Sequence, residues 1–302
     1  GSDYTDNYYE YEIPLKISDL EYLKSVKNDL LVYSEGVWLK DNAFDFPLHI
    51  LTDLKEERNK VNGVGSYYSK VDPENPTNTI TVKGNPNLGY VKGLMIGIRN
   101  KQGGIPRCGE VWINELRMTG FDERGGVAAV SRVDFQLADL GTLTLSGAYS
   151  SLGWGGLDQR VQQRAITSNY QYDISTNLEL SKFIPGKTGL KIPFYYQYTT
   201  NVKTPEYDPY DLDIKLRDKL NQNTGAERDS LREQAIEYEN IQSYSFNNVR
   251  KERTNKAATP MPWDVENFSV TYGHSRTKRT DPIIARDQTD QYKGGLDYNF
   301  TM

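Results

Sequence analysis

Two long segments in the middle of the chain alternate apolar and polar residues almost without exception. In residues 166–180 the apolar side chains, such as Tyr170 and Leu178, fall on one parity, and polar side chains fall on the other. Residues 190–202 repeat the pattern. A period of two places successive side chains on opposite faces of a β-strand. The chain therefore contains long strands with one apolar and one polar face, and its fold must cover the apolar face.

The length of these strands restricts the fold further. The first segment has about fifteen residues and spans roughly 50 Å at ~3.3 Å per residue, whereas ordinary strands average about five to six residues. Such strands are typical of a large transmembrane β-barrel. The residues predicted to face lipid are Leu143, Leu145, Tyr170, Tyr172, Ile174, Leu178, Phe194 and Tyr196. The residues predicted to face the lumen are Thr167, Asn169, Gln171, Asp173, Asn177 and Glu179.

A soluble β-sandwich protein that binds carbohydrate or another surface is the alternative hypothesis. A sandwich would bury the same apolar parity against a second sheet, so lipid contact at Tyr172 and Ile174 separates the two hypotheses. In a carbohydrate-binding sandwich, Trp38 and Trp112 would stack on sugar rings. Trp112 follows Val111 directly, however, and is then more simply interpreted as a core or interface anchor.

Composition excludes several classes of protein. The chain has 302 residues, enough for two domains, and its mean hydropathy is −0.70. No apolar run approaches the ~20 residues of a membrane helix, although barrel strands would escape this criterion because half their residues avoid lipid. The net charge of −5 provides no basic stripe, so nucleic acid is not an expected partner. Cys108 is the single cysteine, which excludes an internal disulfide.

The first part of the chain, residues 3–124, is predicted to form a jelly-roll-like β-sandwich domain. Short strand patterns alternate there with Gly and Pro turns, as in small all-β domains. One short helix is expected at Leu20–Leu30. The candidate strands are Tyr9–Ile17, Gly36–Leu39, Phe46–Leu51, Thr79–Val82, Lys92–Arg99 and Glu110–Thr119.

The second part, residues 125–302, is predicted to supply antiparallel barrel strands. These candidates are Val127–Leu137, Thr142–Ser150, Ile166–Ser181, Leu190–Val202, Ser243–Arg253, Glu266–His274 and Gln291–Thr301. A helical insertion at about 212–241, with helices Asp213–Asn221 and Gly225–Ile241, interrupts them and would serve as a functional lid or as a cover for a sheet edge. Seven strands cannot close a barrel alone, so we expect the chain to be a fragment of a longer protein.

Catalytic constellations are scarce. His49 and His274 are the only histidines, and the chain has no G-x-S-x-G, H-E-x-x-H or phosphate-loop motif. We therefore expect neither enzymatic activity nor a cofactor. The acidic cluster of Asp208, Asp211 and Asp213 could offer oxygen ligands to calcium. Asp211 or Asp213 could equally cap the helix that follows.

Several segments resemble the SprA/Sov family. They are GEVWINELR at 109–117, NYQYDISTNLELSKF at 169–183, GLKIPFYYQY at 189–198, PEYDPYDLD at 205–213, FNNVRKER at 246–253 and FPLHILTDLKEERN at 46–59. These segments keep their order along most of the chain.

The resemblance implies a function. Members of this family are giant single-chain β-barrels of the outer membrane in Bacteroidota. They serve as translocons of the type IX secretion system, through which folded cargo proteins leave the cell, and they are linked to gliding motility. The resemblance further implies an outer-membrane shuttle protein, a periplasmic plug and accessory periplasmic proteins as partners, and no catalytic residues. On this interpretation the β-sandwich is a domain inserted on one side of the membrane.

Overall fold

The computed structural model describes residues 6–101, 106, 108–160, 163–186, 188–255 and 259–301. Strands take 40% of the residues and helices 21%, and the sheets are antiparallel, which confirms the mainly β fold class. The chain divides into two compact units. Unit 1 comprises Gly1–Val111 with Tyr210–Ile214, and unit 2 comprises Trp112–Pro209 with Lys215–Met302. The boundary predicted at residues 124 and 125 stays a prediction.

Unit 1 combines a small sheet with three helices. The strands are β1 (Tyr8–Glu12), β2 (Gly65–Val71) and β3 (Thr79–Gly84), and the helices are α1 (Leu20–Val26), α2 (Leu30–Val37) and α3 (His49–Val61). The sheet is antiparallel with the order β1-β3-β2. Asp19 and Asp29 cap α1 and α2, because their carboxylates accept hydrogen bonds from backbone N–H groups of the first turn.

The core of unit 1 lies between α3 and β3. Ile50, Leu51 and Leu54 of the helix are buried against Ile80 and Val82 of the strand. Spacings of three and four residues place the helical side chains on one face, which suits them to cover a sheet. The unit therefore has one helix-on-sheet core within its described residues.

This architecture corrects the jelly-roll-like β-sandwich predicted for residues 3–124. Of Gly36–Leu39, the first two residues form the end of α2 and the other two follow it without strand pairing. Phe46–Leu51 leads into α3, because its apolar residues continue with the helical period through Leu54. Neither Lys92–Arg99 nor Glu110–Thr119 forms a strand. Neither segment belongs to any of the sheets formed by the described residues, and Met95 is 87% exposed.

Unit 2 is dominated by one antiparallel sheet. Its long strands are β4 (Ala128–Leu137), β5 (Gly141–Ser150), β6 (Thr167–Glu179), β8 (Pro193–Pro205), β11 (Glu237–Lys251), β12 (Phe268–Thr280) and β13 (Asp287–Tyr298). They follow the order β13-β12-β11-β8-β6-β5-β4, and the short β7 (Leu190–Lys191) pairs with the end of β11. Residues between β8 and β11 form β9 (Tyr207–Asp208), β10 (Asp211–Lys215), α4 (Leu216–Gln222) and α5 (Gly225–Ala235), and residues 211–214 of β10 belong to unit 1.

The predicted long strands are confirmed, with displaced ends. The helical insertion, predicted at about 212–241, is shorter than expected. Its helices end at Ala235 because residues 238–242 pair with both β8 and β12, so that hydrogen bonds to two neighbours replace those within a helix. A β-bulge interrupts β11 between Phe246 and Val249, with Asn248 at φ 59°. Asparagine tolerates this left-handed conformation better than most residues.

Candidate functional site

The sheet of unit 2 has two chemically different faces. In an antiparallel pair, residues directly opposite each other project from the same side of the sheet. Leu145 pairs with Ile174, and Ile174 pairs with Tyr198, so these three side chains share what we call the aromatic face. Ser146 pairs with Asp173, and Asp173 pairs with Thr199, which places them on the opposite, polar face.

The register groups the residues predicted from the sequence. All those predicted to face lipid lie on the aromatic face: Leu143, Leu145, Tyr170, Tyr172, Ile174, Leu178, Phe194 and Tyr196. All those predicted to face the lumen lie on the polar face: Thr167, Asn169, Gln171, Asp173, Asn177 and Glu179. The contact of one face with lipid and of the other with water stays a prediction.

Rings continue across the aromatic face from strand to strand. The rings of Tyr172 and Tyr198 stack with centroids 6.0 Å apart, and Phe194 contacts Phe246 at 5.0 Å. Further along the sheet, the rings of Phe268 and Tyr298 lie 5.1 Å apart. Cross-strand aromatic pairs of this kind stabilise a sheet by about 0.2–1 kcal/mol each. The face thus carries tyrosine, phenylalanine or aliphatic side chains on every long strand from β5 to β13.

Hydrogen bonds connect the side chains of the polar face. The Tyr195 hydroxyl donates to Gln197 Oε1 at 2.9 Å, and Gln197 Nε2 donates to Thr199 Oγ1 at 3.1 Å. The Thr199 hydroxyl donates in turn to the Asp173 carboxylate at 3.1 Å. Because hydroxyl, amide and carboxylate groups also bond well to water, this face suits contact with an aqueous space.

Sequence reasoning missed a set of polar residues on the aromatic face. Arg276 Nε donates to the Asp290 carboxylate at 2.7 Å, and His274 Nε2 lies 3.0 Å from the same oxygen. The His274 ring also lies 4.6 Å from that of Tyr292, and its buried Nδ1 has no hydrogen-bond partner. We use the name charged patch for two sets of directly paired residues on β11, β12 and β13. One set is Gln242, Arg276 and Asp290, and the other, two residues away along each strand, is Asn240, Lys278 and Gln288. The sequence signal that could have revealed the patch is the occurrence of charged residues at positions of β12 and β13 that the alternation assigns to the apolar face.

A second buried polar site lies within unit 1. Lys55 of α3 is fully buried, and its Nζ lies 2.7 Å from Asp211 and 3.3 Å from Asp213. The same ammonium donates to the Pro86 carbonyl at 2.7 Å. Asp213 also accepts hydrogen bonds from the Tyr9 hydroxyl and from the backbone N–H of Leu88, each at 2.7 Å. A buried charge is tolerated when it is paired and hydrogen-bonded in this way.

The hypothesis that an aspartate of the acidic cluster caps the following helix is wrong, and the calcium hypothesis gains no support from these contacts. Asp211 and Asp213 bind a lysine, and Asp208 pairs with Lys219. The residue that caps α4 is Lys215, not an aspartate. Among the described residues, no group of three or more His, Cys, Asp or Glu side chains is arranged to hold a metal ion. Burial raises the pKa of the Tyr9 phenol, and its hydrogen bond to the Asp213 carboxylate raises it further.

The tryptophans give a mixed result. Trp112 is 60% exposed, so it does not anchor a core of this chain, and its alternative role as an interface anchor stays a prediction. Trp38 is 43% exposed at the end of α2. Whether either ring stacks on a sugar stays a prediction.

The fold and the two-faced sheet define a mainly β, antiparallel protein, and comparison with known families adds its identity. The model of the SprA N-terminal family, described as a motility related/secretion protein, matches residues 1–220. The chain therefore belongs to the SprA family, and it is related to motility and secretion. No curated protein matches the chain. Within the described residues, no helix combines the length and apolar composition needed to cross a membrane.

Proposed function

We propose that the chain forms part of the wall of an outer-membrane β-barrel channel that exports folded proteins. The observation that carries the proposal is the sheet of unit 2, whose aromatic face and polar face follow the register of long antiparallel strands without exchange. Such strands pair a lipid-facing and a lumen-facing side in transmembrane barrels. Membership of a secretion-related family supports the same interpretation.

The chemistry of the polar face supports passage of folded cargo. A folded cargo protein passes through a channel only if it binds the channel wall weakly. Hydroxyl, amide and carboxylate groups remain hydrated, so the wall exposes little apolar surface on which cargo could be retained. The residues assigned to the pore are Thr167, Asn169, Gln171, Asp173, Asn177 and Glu179.

The proposal includes several binding partners and no catalytic activity. Cargo proteins, an outer-membrane shuttle protein, a periplasmic plug, accessory periplasmic proteins and membrane lipid would contact the full-length protein. Nucleic acid is not among them. We assign no enzymatic role and no cofactor to the chain.

Depletion of the full-length protein, followed by quantitative proteomics of the medium and periplasm, tests this function. We expect a set of proteins to disappear from the medium and to accumulate in the periplasm, and re-expression to restore their export. If the medium is unchanged while binding to surface glycans is lost, the export function is wrong and the carbohydrate-binding alternative replaces it.

A further inference from the structure

The charged patch interrupts the aromatic face along the direction of the rows. Directly paired residues form rows that cross the strands, and two of these rows contain the patch. The Ile174 row consists of Leu145, Ile174, Tyr198, Gln242, Arg276 and Asp290. The Tyr172 row consists of Gly147, Tyr172, Thr200, Asn240, Lys278 and Gln288. On β5, β6 and β8 the Ile174 row is apolar or aromatic, and the Tyr172 row has one aromatic ring between Gly147 and the buried Thr200; on β11–β13 both rows are polar.

From this pattern we infer that lipid hydrocarbon crosses the aromatic face obliquely and leaves the charged patch outside; the inference rests on the proposed wall function. Arg or Lys on the lipid side of a barrel is strongly destabilising at the bilayer midplane and far less so near the interface. Arg276 and Lys278 are therefore most stable where the sheet has already left the hydrocarbon.

Apolar residues do occur on β11–β13, but they are displaced toward the opposite end of the strands. Val249 pairs with Val270, and Val270 pairs with Leu296. Beyond them, Phe268 pairs with Tyr298. On β5 and β6 the apolar surface instead reaches the pair Tyr149 and Tyr170, at the other end, and Val202 of β8 and Tyr238 of β11 continue this row past the charged patch. The apolar band is thus continuous, although its position shifts along the strands.

The size of the shift gives the angle of the band. Its edge moves from the row of Tyr149 and Tyr170 to the row of Tyr244, His274 and Tyr292. Neighbouring rows on one face are two residues apart along a strand, so this shift of three rows is ~20 Å at ~3.3 Å per residue. β5 and β13 lie five strand spacings apart, or ~24 Å. Averaged over the whole sheet from β5 to β13 this displacement has a slope of about 40°, although the shift itself falls between Tyr170 on β6 and Tyr244 on β11; transmembrane strands tilt by ~35–45°. A membrane plane crossing tilted strands produces this displacement.

Tyrosines mark the displaced edge. Tyr149 and Tyr170 lie there on β5 and β6, and Tyr244 and Tyr292 lie there on β11 and β13. Tyrosine concentrates at membrane interfaces, because its ring prefers the apolar side while its hydroxyl reaches the wet side. A band that followed the rows would instead place Tyr244 and Tyr292 deep in hydrocarbon beside the Arg276–Asp290 ion pair.

Depth measurements on residues of one row test this inference. Single cysteines replace Ile174 and Gln242 of the Ile174 row, Tyr172 and Lys278 of the Tyr172 row, and Val270, in a full-length protein carrying Cys108→Ser. Each is labelled with bimane in bilayers whose acyl chains carry bromine. Thr199→Cys, on the polar face, serves as the control. Heat-modifiable migration on gels shows which variants are folded. If a variant of one row does not fold, the pair of positions on the other row still gives the comparison.

We expect quenching at Ile174 to be at least threefold stronger than at Gln242. Quenching at Tyr172 should likewise be at least threefold stronger than at Lys278, and quenching at Val270 should be strong. Equal quenching within each pair would overturn the oblique band while leaving the wall function intact. If Ile174, Tyr172 and Val270 were quenched no more than Thr199, the proposed membrane wall itself would be wrong.

Discussion

At the scale of single residues, the buried ammonium of Lys55 is the clearest determinant of unit 1. It is fully buried between Asp211 and Asp213, more than 150 residues further along the chain. We expect Lys55→Met to destabilise unit 1 by about 3–5 kcal/mol, because two carboxylates lose their cation in a buried site. Hydrogen exchange of peptides covering β1–β3 measures the change in the full chain.

Lys70→Met is the matched control for that substitution. Lys70 pairs with Glu57 at 2.9 Å, but both side chains are exposed. An exposed pair contributes about 0–1 kcal/mol, so this variant should leave exchange nearly unchanged. Equal effects of the two substitutions would show that burial of Lys55 has no energetic role.

Tyr9 gives unit 1 a dependence on alkaline pH. Its pKa is raised in the folded state, so the unfolded chain loses the phenolic proton first. Tyr9 stabilisation is then fully present below the ordinary tyrosine pKa of 10.0 and declines as pH rises above it. We expect Tyr9→Phe to cost about 1–3 kcal/mol at neutral pH, because Asp213 loses a buried donor, and to reduce the loss of stability above pH ~10.

Hydrogen exchange of the β1 peptide from pH 7 to 11, corrected for intrinsic rates, measures both effects. Tyr67→Phe on the exposed side of β2 is the control at neutral pH, where it should change stability by less than ~0.5 kcal/mol. An unchanged alkaline slope in Tyr9→Phe would contradict the assignment.

At the scale of elements, α3 stabilises the sheet of unit 1 through one face. Leu54 is 4% exposed against the sheet, whereas Val61 on the same helix is 66% exposed. Leu54→Ala should destabilise unit 1 by about 2–5 kcal/mol, because it leaves a cavity in the core. Val61→Ala should change stability by less than ~0.5 kcal/mol. Exchange of the β3 peptide compares the variants, and similar losses in both would contradict the helix-on-sheet core.

The elements also show where local patterns were sufficient. The long strands of unit 2 were predictable because their alternation persists over many residues, so a few exceptions do not hide the period. Phe46–Leu51 was mistaken for a strand because six residues are too few to distinguish a period of two from one of 3.6. The β-bulge at Asn248 was not predictable either, since it depends on the pairing of Phe246 and Val249 with β12.

At the scale of the whole molecule, the proposed wall function predicts alternating accessibility along β8. Cysteines at Gln197 and Thr199 should react with a membrane-impermeant maleimide in the full-length Cys108→Ser protein in bilayers, because their side chains belong to the polar face. Cysteines at Tyr196 and Tyr198 should react at least tenfold more slowly. Equal rates at all four positions would contradict a sheet with one wet and one lipid-covered face.

One part of the candidate site was predictable from the sequence, and another part required the structure. The residues assigned from the alternation to the lipid side share one face of the sheet and those assigned to the lumen side share the other, because parity follows from the geometry of a single strand. The environment of each face stays a prediction. The charged patch was missed, because Gln242, Arg276 and Asp290 lie on three different strands and meet only through the register.

The sequence by itself determined the mainly β class, the two faces of each long strand and membership of the SprA family, since these properties depend on local periodicity and on residue identity. The tertiary structure alone decided that a helix covers the sheet of unit 1, that Lys55 pairs with Asp211 and Asp213, and that the charged patch occupies one end of the aromatic face. These features require contacts between residues far apart in the chain, and such contacts are fixed by packing and register, which no local pattern encodes.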